Sequence, residues 1–447
     1  MSYRSAFLVL GLWGSTALAG QAQQLNTAKL DSLLTALVDN HQLMGSLALS
    51  HDGQVVYHRA FGDQQAAGNA KTPATALTRY RIGSVTKLFT ATMIFQLIEE
   101  KKLTLTTPLA TFFPRLPNAG RITIDQLLSH RSGLHDFVGD TAYAGYETRP
   151  QTAAQLLARM EQSKSDFEPG ARFAYSNSNY IVLGYIIEKL TGRTCAQALQ
   201  KRIVAKAGLQ NTYYGGKINS QNHEASSFAP TASGWVAAPE TDMSIPGGAG
   251  AIVSTPIELA RFLEVLFGGK LISMKSLQQM ETMRDGYGRG MFQLPFAGKS
   301  DYGHNGSIDG FHTLAFYFPN DKLAVALCAN AGAPAALNTA LLGALSSYFR
   351  QPFKIPDFQA KVFLPAPATL DCRVGTYASP QFPLKIVLTQ APGTLIAQAT
   401  GQGPLTLEPV SADVFMFGPA GIRMDFDPDK PVFTLQQGGR SFIFTKE

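Results

Sequence analysis

Ser84-Val85-Thr86-Lys87 opens a stretch in which Val85, Leu88, Met93, Leu97 and Ile98 recur at the spacing of an amphipathic helix. It is the only Ser-x-x-Lys in 447 residues. On a helix, residues three apart lie one above the other on the same face. That spacing can bring the Lys87 amine within hydrogen-bond reach of the Ser84 hydroxyl, the minimum that makes a serine nucleophilic without a Ser-His-Asp triad. Two common residue types at one spacing also meet by chance, so the reading depends on what else the chain supplies.

Such a pair needs a proton carrier for the leaving atom, donors for the developing oxyanion and a surface that orients the substrate. Tyr175-Ser176-Asn177, in a Ser/Asn-rich loop just before a predicted helix Asn179–Thr191, offers the first. Nearby ammonium groups, or a proton shared with Lys87, would lower the Tyr175 phenol far enough for base work. Asn177 can donate to a substrate carbonyl and also hold Lys87. His304-Asn305-Gly306-Ser307 precedes a predicted strand at Phe311. Gly306 would let a strand edge come close to bound substrate, and the backbone N–H groups of Ser84 and Ser307 are candidate oxyanion donors. Each fragment alone also fits a plain structural role. His51-Asp52-Gly53 repeats the His-x-Gly spacing in what reads as a hairpin turn with Asp-Gly at its tip.

The elements around these motifs arrange themselves as strands, then helices, then strands. A helix over 26–39 precedes a hairpin of Ser46–Ser50 and Gln54–Ala60. Helices are predicted at Ile124–Ser129, Thr152–Gln162, Cys195–Ala207, Pro256–Phe267 and Ser273–Met283, with Gly192 as a helix stop. Strands follow at Tyr287–Leu294, Phe311–Phe318 and Lys322–Ala329, then a helix Pro334–Phe349. This order predicts an α/β two-lobed body: one antiparallel sheet built from both ends, flanked by helices, with an all-helical subdomain inserted and a cleft at the junction. The expected divisions are 24–351 for this body, a Pro-rich linker at 352–367, and a small all-β domain at 368–447 made of short runs punctuated by Gly and Pro. The irregular stretches Asp136–Thr152 and Lys217–Met243 are expected to shape the pocket.

With Ser84-x-x-Lys87, Tyr175-x-Asn177 and His304-x-Gly306 in this order, the chain resembles the serine β-lactamase and penicillin-recognising D-alanyl-D-alanine carboxypeptidase family, in its class C-like branch with related esterases. Leu127-Leu128-Ser129-His130-Arg131-Ser132-Gly133-Leu134 is similar to the family's Leu-Leu-x-His-x-Ser-Gly-Leu segment. Gly247-Gly248-Ala249-Gly250 with Ser254-Thr255 and Leu259-Ala260-Arg261-Phe262 is similar to its glycine-rich turn and following helix. The resemblance spans roughly residues 25–350, and the C-terminal β unit resembles an appended lipocalin-like module. It implies that Ser84 is acylated, that Lys87 and Tyr175 are its general-base partners, and that Asn177 binds the substrate amide. By the same resemblance His304 and Gly306 form the strand edge facing the substrate, while His130 and Ser132 are structural. Class C β-lactamases usually carry Lys where His304 stands. The weaker carboxylate anchor points to a peptidase, amidase or esterase, and a protonated His304 would partly restore the anchor.

Residues 1–19 read as a signal peptide, with Arg4, the apolar run Ala6–Leu12 and an Ala17-Leu18-Ala19 exit. No Cys lies near that exit and no later apolar run approaches spanning length, so the expected product is soluble and periplasmic or secreted. The formal charge of +6 comes from scattered cations without interleaved aromatics, which excludes a nucleic-acid face. Cys195, Cys328 and Cys372 are too few for a disulfide framework, although one bridge is open among three pairings. No metal-binding spacing occurs, no Gly-x-Ser-x-Gly occurs, and no cofactor is implied. The expected activity is hydrolysis of an amide or ester in a small-molecule or peptide substrate: a D-amino-acid peptide, a β-lactam or an ester. The alternative is a catalytically idle envelope-binding or scaffold protein on the same fold. The sequence leaves the oligomeric state open.

Overall fold

The computed structural model describes residues 25–447 apart from 68–69, 232–233, 359–362, 401–403, 418–420 and 438–439. The segment read as a signal peptide lies outside the described residues. The body is α/β and is built around an antiparallel sheet in the order Tyr302–Ile308, Phe311–Phe318, Leu323–Gly332, Leu43–His51, Gln54–Phe61. The first strand in sequence therefore lies between the last strand of the body and its own hairpin partner, with Leu47 opposite both Leu327 and Arg59. Leu43–Ser50 and the whole of Leu323–Gly332 are buried. Their near-continuous apolar sequence is that of central strands covered on both faces.

One face carries the helices Thr27–Asp39 and Pro334–Phe349, whose Leu30, Leu33, Leu37, Leu341 and Leu345 pack on Leu47, Leu49 and Val325. The other face carries the helical lobe, centred on Thr86–Glu99 and Asn177–Thr191. The helix Thr86–Glu99 is buried from Thr86 to Leu97, on every side rather than along a stripe. A helix enclosed in this way belongs to the interior, not the surface. Its Phe89 ring stacks 3.7 Å from that of Phe262.

Several local expectations change. The helix predicted from Ser84 begins as a 3-10 turn, Gly83–Val85, and becomes α-helical at Thr86. The helix predicted from Asn179 starts at Asn177. Cys195–Ala207 is helical but contains a π-helical segment at Gln200–Val204. The strand expected at Tyr287–Leu294 is irregular, with isolated bridges at Tyr287 and Phe292 only. Its alternation serves packing instead. A Cβ at Gly290, which has φ +84°, would sit 2.6 Å from the Ala91 Cβ, so this segment lies directly on the central helix. Short strands at Tyr80–Arg81, Tyr213–Tyr214 and Ile252–Ser254 form a small sheet that composition did not signal.

Residues 375–446 form a nine-stranded antiparallel sheet that curls almost into a barrel. Its terminal strands, Leu405–Thr406 and Glu408–Pro409, are adjacent in the chain, and the Leu407 N–H between them donates to Leu395 O. Phe415, Phe433, Phe444 and Leu388 fill the interior. The buried Arg373 guanidinium lies 4.6 Å from the Phe426 ring centroid and donates to Asp413. Cys195, Cys328 and Cys372 are all free thiols. No described helix is long and apolar enough to cross a membrane.

Candidate active site

The Lys87 side chain is fully buried, and three atoms surround its amine: Ser84 Oγ, Asn177 Oδ1 and Ala249 O, each at 2.9 Å. Two of these can only accept. Ala249 O is a carbonyl. Asn177 presents its oxygen because its Nδ2 donates to Asp136 Oδ2 at 3.0 Å. The amine therefore commits one N–H to each, and its third tetrahedral position faces the Ser84 hydroxyl. Burial lowers the Lys87 pKa to about 7, opposed by the charge of Asp136. In the neutral form the lone pair points at Ser84 Oγ, the geometry required of a base.

Distant elements set this geometry. Ala249 belongs to the turn Gly247–Gly250, which packs on the helix Asn177–Thr191. A Cβ at Gly248 would stand 2.5 Å from Tyr180 O, so glycine permits that approach. Gly83 and Gly306 interlock the nucleophile turn with the strand Tyr302–Ile308. A Cβ on Gly83, at φ +51°, would meet Ser307 N at 2.8 Å, and one on Gly306 would meet Ile82 O at 2.0 Å and Ser84 N at 2.9 Å. The backbone N–H groups of Ser84 and Ser307 are thus neighbours. This protein contact by itself requires glycine at position 306.

Tyr175 stacks on His130, with ring centroids 4.2 Å apart, and the Lys87 amine lies 4.9 Å from its ring centroid. Although 38% of Tyr175 is exposed, burial around its hydroxyl raises the phenol's pKa. A hydrogen-bonding interaction with Ser84 only partly offsets this. The expected lowering does not occur, because burial outweighs the Ser84 interaction and the charge of Asp136 adds to the rise. Tyr175 keeps its proton. His130 is fixed in turn: its Nδ1 accepts from Ser176 N and from Asn179 Nδ2, both at 3.1 Å. The Ser132 hydroxyl donates to Asn179 Oδ1 and so orients that amide. The segment around His130 and Ser132 is the bed on which Tyr175 rests.

His304 is drawn in less closely. It lies in the strand Tyr302–Ile308, buried, with Nδ1 against Asn305 O and Nε2 3.0 Å from the Tyr287 hydroxyl. Burial, followed by the charge on Lys87, pushes its pKa down to about 3. It is neutral at physiological pH and cannot serve as the carboxylate-binding cation the sequence left open. The cavity beside Ser84, of about 450 Å³, is lined by Ser84, Asn177 and Ser307 but not by His304. Its walls come from both irregular stretches expected to shape it, through Val138, Tyr143 and Glu147 on one side and Ala229, Ala238 and Pro239 on the other. Asp136 escaped the sequence reading; its proximity to Asn177 depends on loop geometry that no local spacing encodes.

Residues 30–345 match the family model for β-lactamase. This chain belongs to the β-lactamase family. Within that family it is similar to the penicillin-binding protein PbpX of Bacillus subtilis (strain 168), 28% identical over 311 residues that cover 69% of this chain and 76% of that protein. The D-amino acid amidase of Ochrobactrum anthropi SV3, solved with D-phenylalanine, superposes with a TM-score of 0.64 at 25% identity, covering 72% of this chain and all of that one. The octameric penicillin-binding protein homologue of Pyrococcus abyssi superposes over 94% of this chain and all of its own, with a TM-score of 0.66 at 24% identity. That likeness extends the shared fold into the C-terminal β unit. The chain is thus a β-lactamase-family serine hydrolase, and Ser84, Lys87, Tyr175 and Asn177 are gathered at one end of its cleft.

Proposed function

We propose that this β-lactamase-family protein hydrolyses an amide or ester bond of a D-configured amino-acid derivative through an acyl-enzyme on Ser84, outside the cytoplasm. The observation that carries the reading is the Lys87 amine, committed to two acceptors and left facing Ser84 Oγ. Ser84 Oγ attacks the substrate carbonyl as its proton passes to Lys87 Nζ. The oxyanion settles against the N–H groups of Ser84 and Ser307. The Tyr175 hydroxyl, which keeps its proton, gives it to the leaving nitrogen or oxygen and is refilled from the Lys87 ammonium. The C–N or C–O bond then breaks. Water attacks the acyl ester, its proton returning by way of Lys87, and the acid is released with Ser84 restored.

The D-configuration is supported by the likeness to the D-amino acid amidase, and the location by the Arg4–Ala19 pattern. The neutral His304 weighs against a substrate anchored by its carboxylate. The test is labelling with a fluorophosphonate probe followed by intact mass. Wild type is expected to gain one adduct and Ser84→Ala none. An adduct on Ser84→Ala would remove Ser84 from the mechanism.

A further inference from the structure

The two N–H groups assigned to the oxyanion lie on separate pieces of chain, Ser84 in the turn Gly83–Val85 and Ser307 in the strand Tyr302–Ile308. On one side the glycines at 83 and 306 let these pieces touch. On the other an ion pair joins them. Arg81, just before that turn, donates from Nη1 to Oδ2 of Asp309, just after that strand, at 2.9 Å. Of the ion pairs among the described residues, only this one has both side chains buried, at 2% and 3% exposure. The same guanidinium donates to Thr241 O at 2.9 Å, to Gly216 O at 2.8 Å and to Glu240 Oε1 at 2.6 Å. Asp309 Oδ1 accepts from the Thr241 N–H at 3.0 Å and from its hydroxyl at 2.6 Å. Thr241 and Asp309 both line the cavity beside Ser84.

A buried ion pair adds little net stability over well-packed apolar side chains, because desolvation of the charges offsets most of their attraction. What such a pair supplies is a fixed distance. Backbone preference does not account for Asp309 either. It occupies the turn between the strands Tyr302–Ile308 and Phe311–Phe318 at φ +53°, a conformation that glycine or asparagine also takes. The carboxylate is what Arg81 and Thr241 use. We infer that Arg81 and Asp309 are positioning residues for the oxyanion site: their pairing fixes the separation of the Ser84 and Ser307 N–H groups and ties Thr241 of the cavity wall to the same frame. They act through the backbone they hold, not through contact with the reacting atoms. The inference rests on the acyl-enzyme reading above and adds what holds its transition state. An oxyanion donor is effective only when held to within about 0.5 Å of its place, and a displacement of about 1 Å costs about 100-fold in rate.

The experiment measures the rate of fluorophosphonate labelling at Ser84, the acylation burst on a p-nitrophenyl ester across the pH range, and the affinity for phenylboronic acid, whose tetrahedral adduct on Ser84 places an oxygen where the oxyanion stands. Wild type is compared with Asp309→Asn, which suits the same turn backbone and keeps an acceptor for Thr241, and with Arg81→Lys. Glu240→Gln is the reference, since it removes a charge from the same guanidinium at a partly exposed site outside the oxyanion strand. Thermal unfolding and the final yield of adduct check the fold. Asp309→Asn and Arg81→Lys should slow labelling and the limiting burst rate by about 10- to 100-fold and weaken the boronic acid by a similar factor. The half-saturating ester concentration and the rising limb near pH 7 should stay in place. Glu240→Gln should stay within about threefold of wild type. If Arg81→Lys does not fold, Asp309→Asn carries the decision. A folded Asp309→Asn that labels at the wild-type rate overturns the inference. So does an equal loss in Glu240→Gln, or a reduced yield of adduct at an unchanged rate, the signature of a purely structural pair. Failure of wild-type Ser84 to label overturns the acyl-enzyme reading, and this one with it.

Discussion

Asp136→Asn removes one negative charge from behind the active site while keeping an acceptor for Asn177 Nδ2. The hydrogen bonds that join Lys87 to Asp136 through Asn177 are 2.9 and 3.0 Å long. They set the carboxylate roughly 7 Å from the amine, where two unit charges interact by about 2 kcal/mol at an effective dielectric of 20. That equals between one and two pH units, and solvent around the partly exposed Asp136 brings it to about one. The sign follows from the working form. Lys87 acts as a base when neutral, so kcat/KM rises as pH passes upward through about 7. Between pH 6 and 8 the increase should be about tenfold for wild type. The Asp136 charge favours the ammonium, so its loss moves the rising limb about one pH unit lower. The assay is the acylation burst on a p-nitrophenyl ester from pH 5 to 9, with wild type and variant side by side. A wild-type profile flat between pH 6 and 8, or a variant limb displaced to higher pH, would refute the reasoning.

Tyr175→Phe should lower kcat/KM by about 10²- to 10³-fold while leaving the rising limb near pH 7, since that limb belongs to Lys87; a lost limb would mean that Tyr175 is the base. Gly306→Ala forces a methyl toward Ile82 O, 2.0 Å away, so the variant should lose at least 2 kcal/mol of stability (order of magnitude) and most activity; an unchanged melting temperature would contradict the interlock. His130→Ala removes the ring under Tyr175 and should destabilise the protein by about 2–4 kcal/mol, readable by chemical denaturation. A chain ending after residue 365 should label at Ser84 with fluorophosphonate as the full chain does, because the core of the β unit is separate from the cores of the body; loss of labelling in the folded truncation alone would show otherwise.

The nucleophile, its amine and Tyr175-x-Asn177 were legible because each lies in a short motif at a predictable position, at the head of a helix or in the loop before one. The sheet was legible because Ser46–Ser50 and Lys322–Ala329 are apolar enough to be central strands. What escaped was relational. Asp136 matters through an amide it orients, and His304 through a neighbour, Tyr287, that occupies its ring nitrogen. Both contacts join segments whose meeting depends on irregular backbone. The Tyr287–Leu294 stretch alternates as a strand does, yet Gly290 lays it on Ala91, and periodicity carries no record of that contact. The glycine-rich turn at 247–250 was visible as a motif, but its delivery of the Ala249 carbonyl to Lys87 was not.

The interlock of Gly83 with Ser307 also sets an order of events during biosynthesis. Ser84 and Lys87 leave the ribosome early, but the strand that closes on them ends at Ile308, and the sheet's central position for Leu43–His51 is filled only once Leu323–Gly332 arrives. Contacts of such long sequence separation form late. A nascent chain therefore carries Ser84 and Lys87 before Ser307 is beside them and before the cavity has its walls, so the proposed chemistry has to wait for the body to be complete.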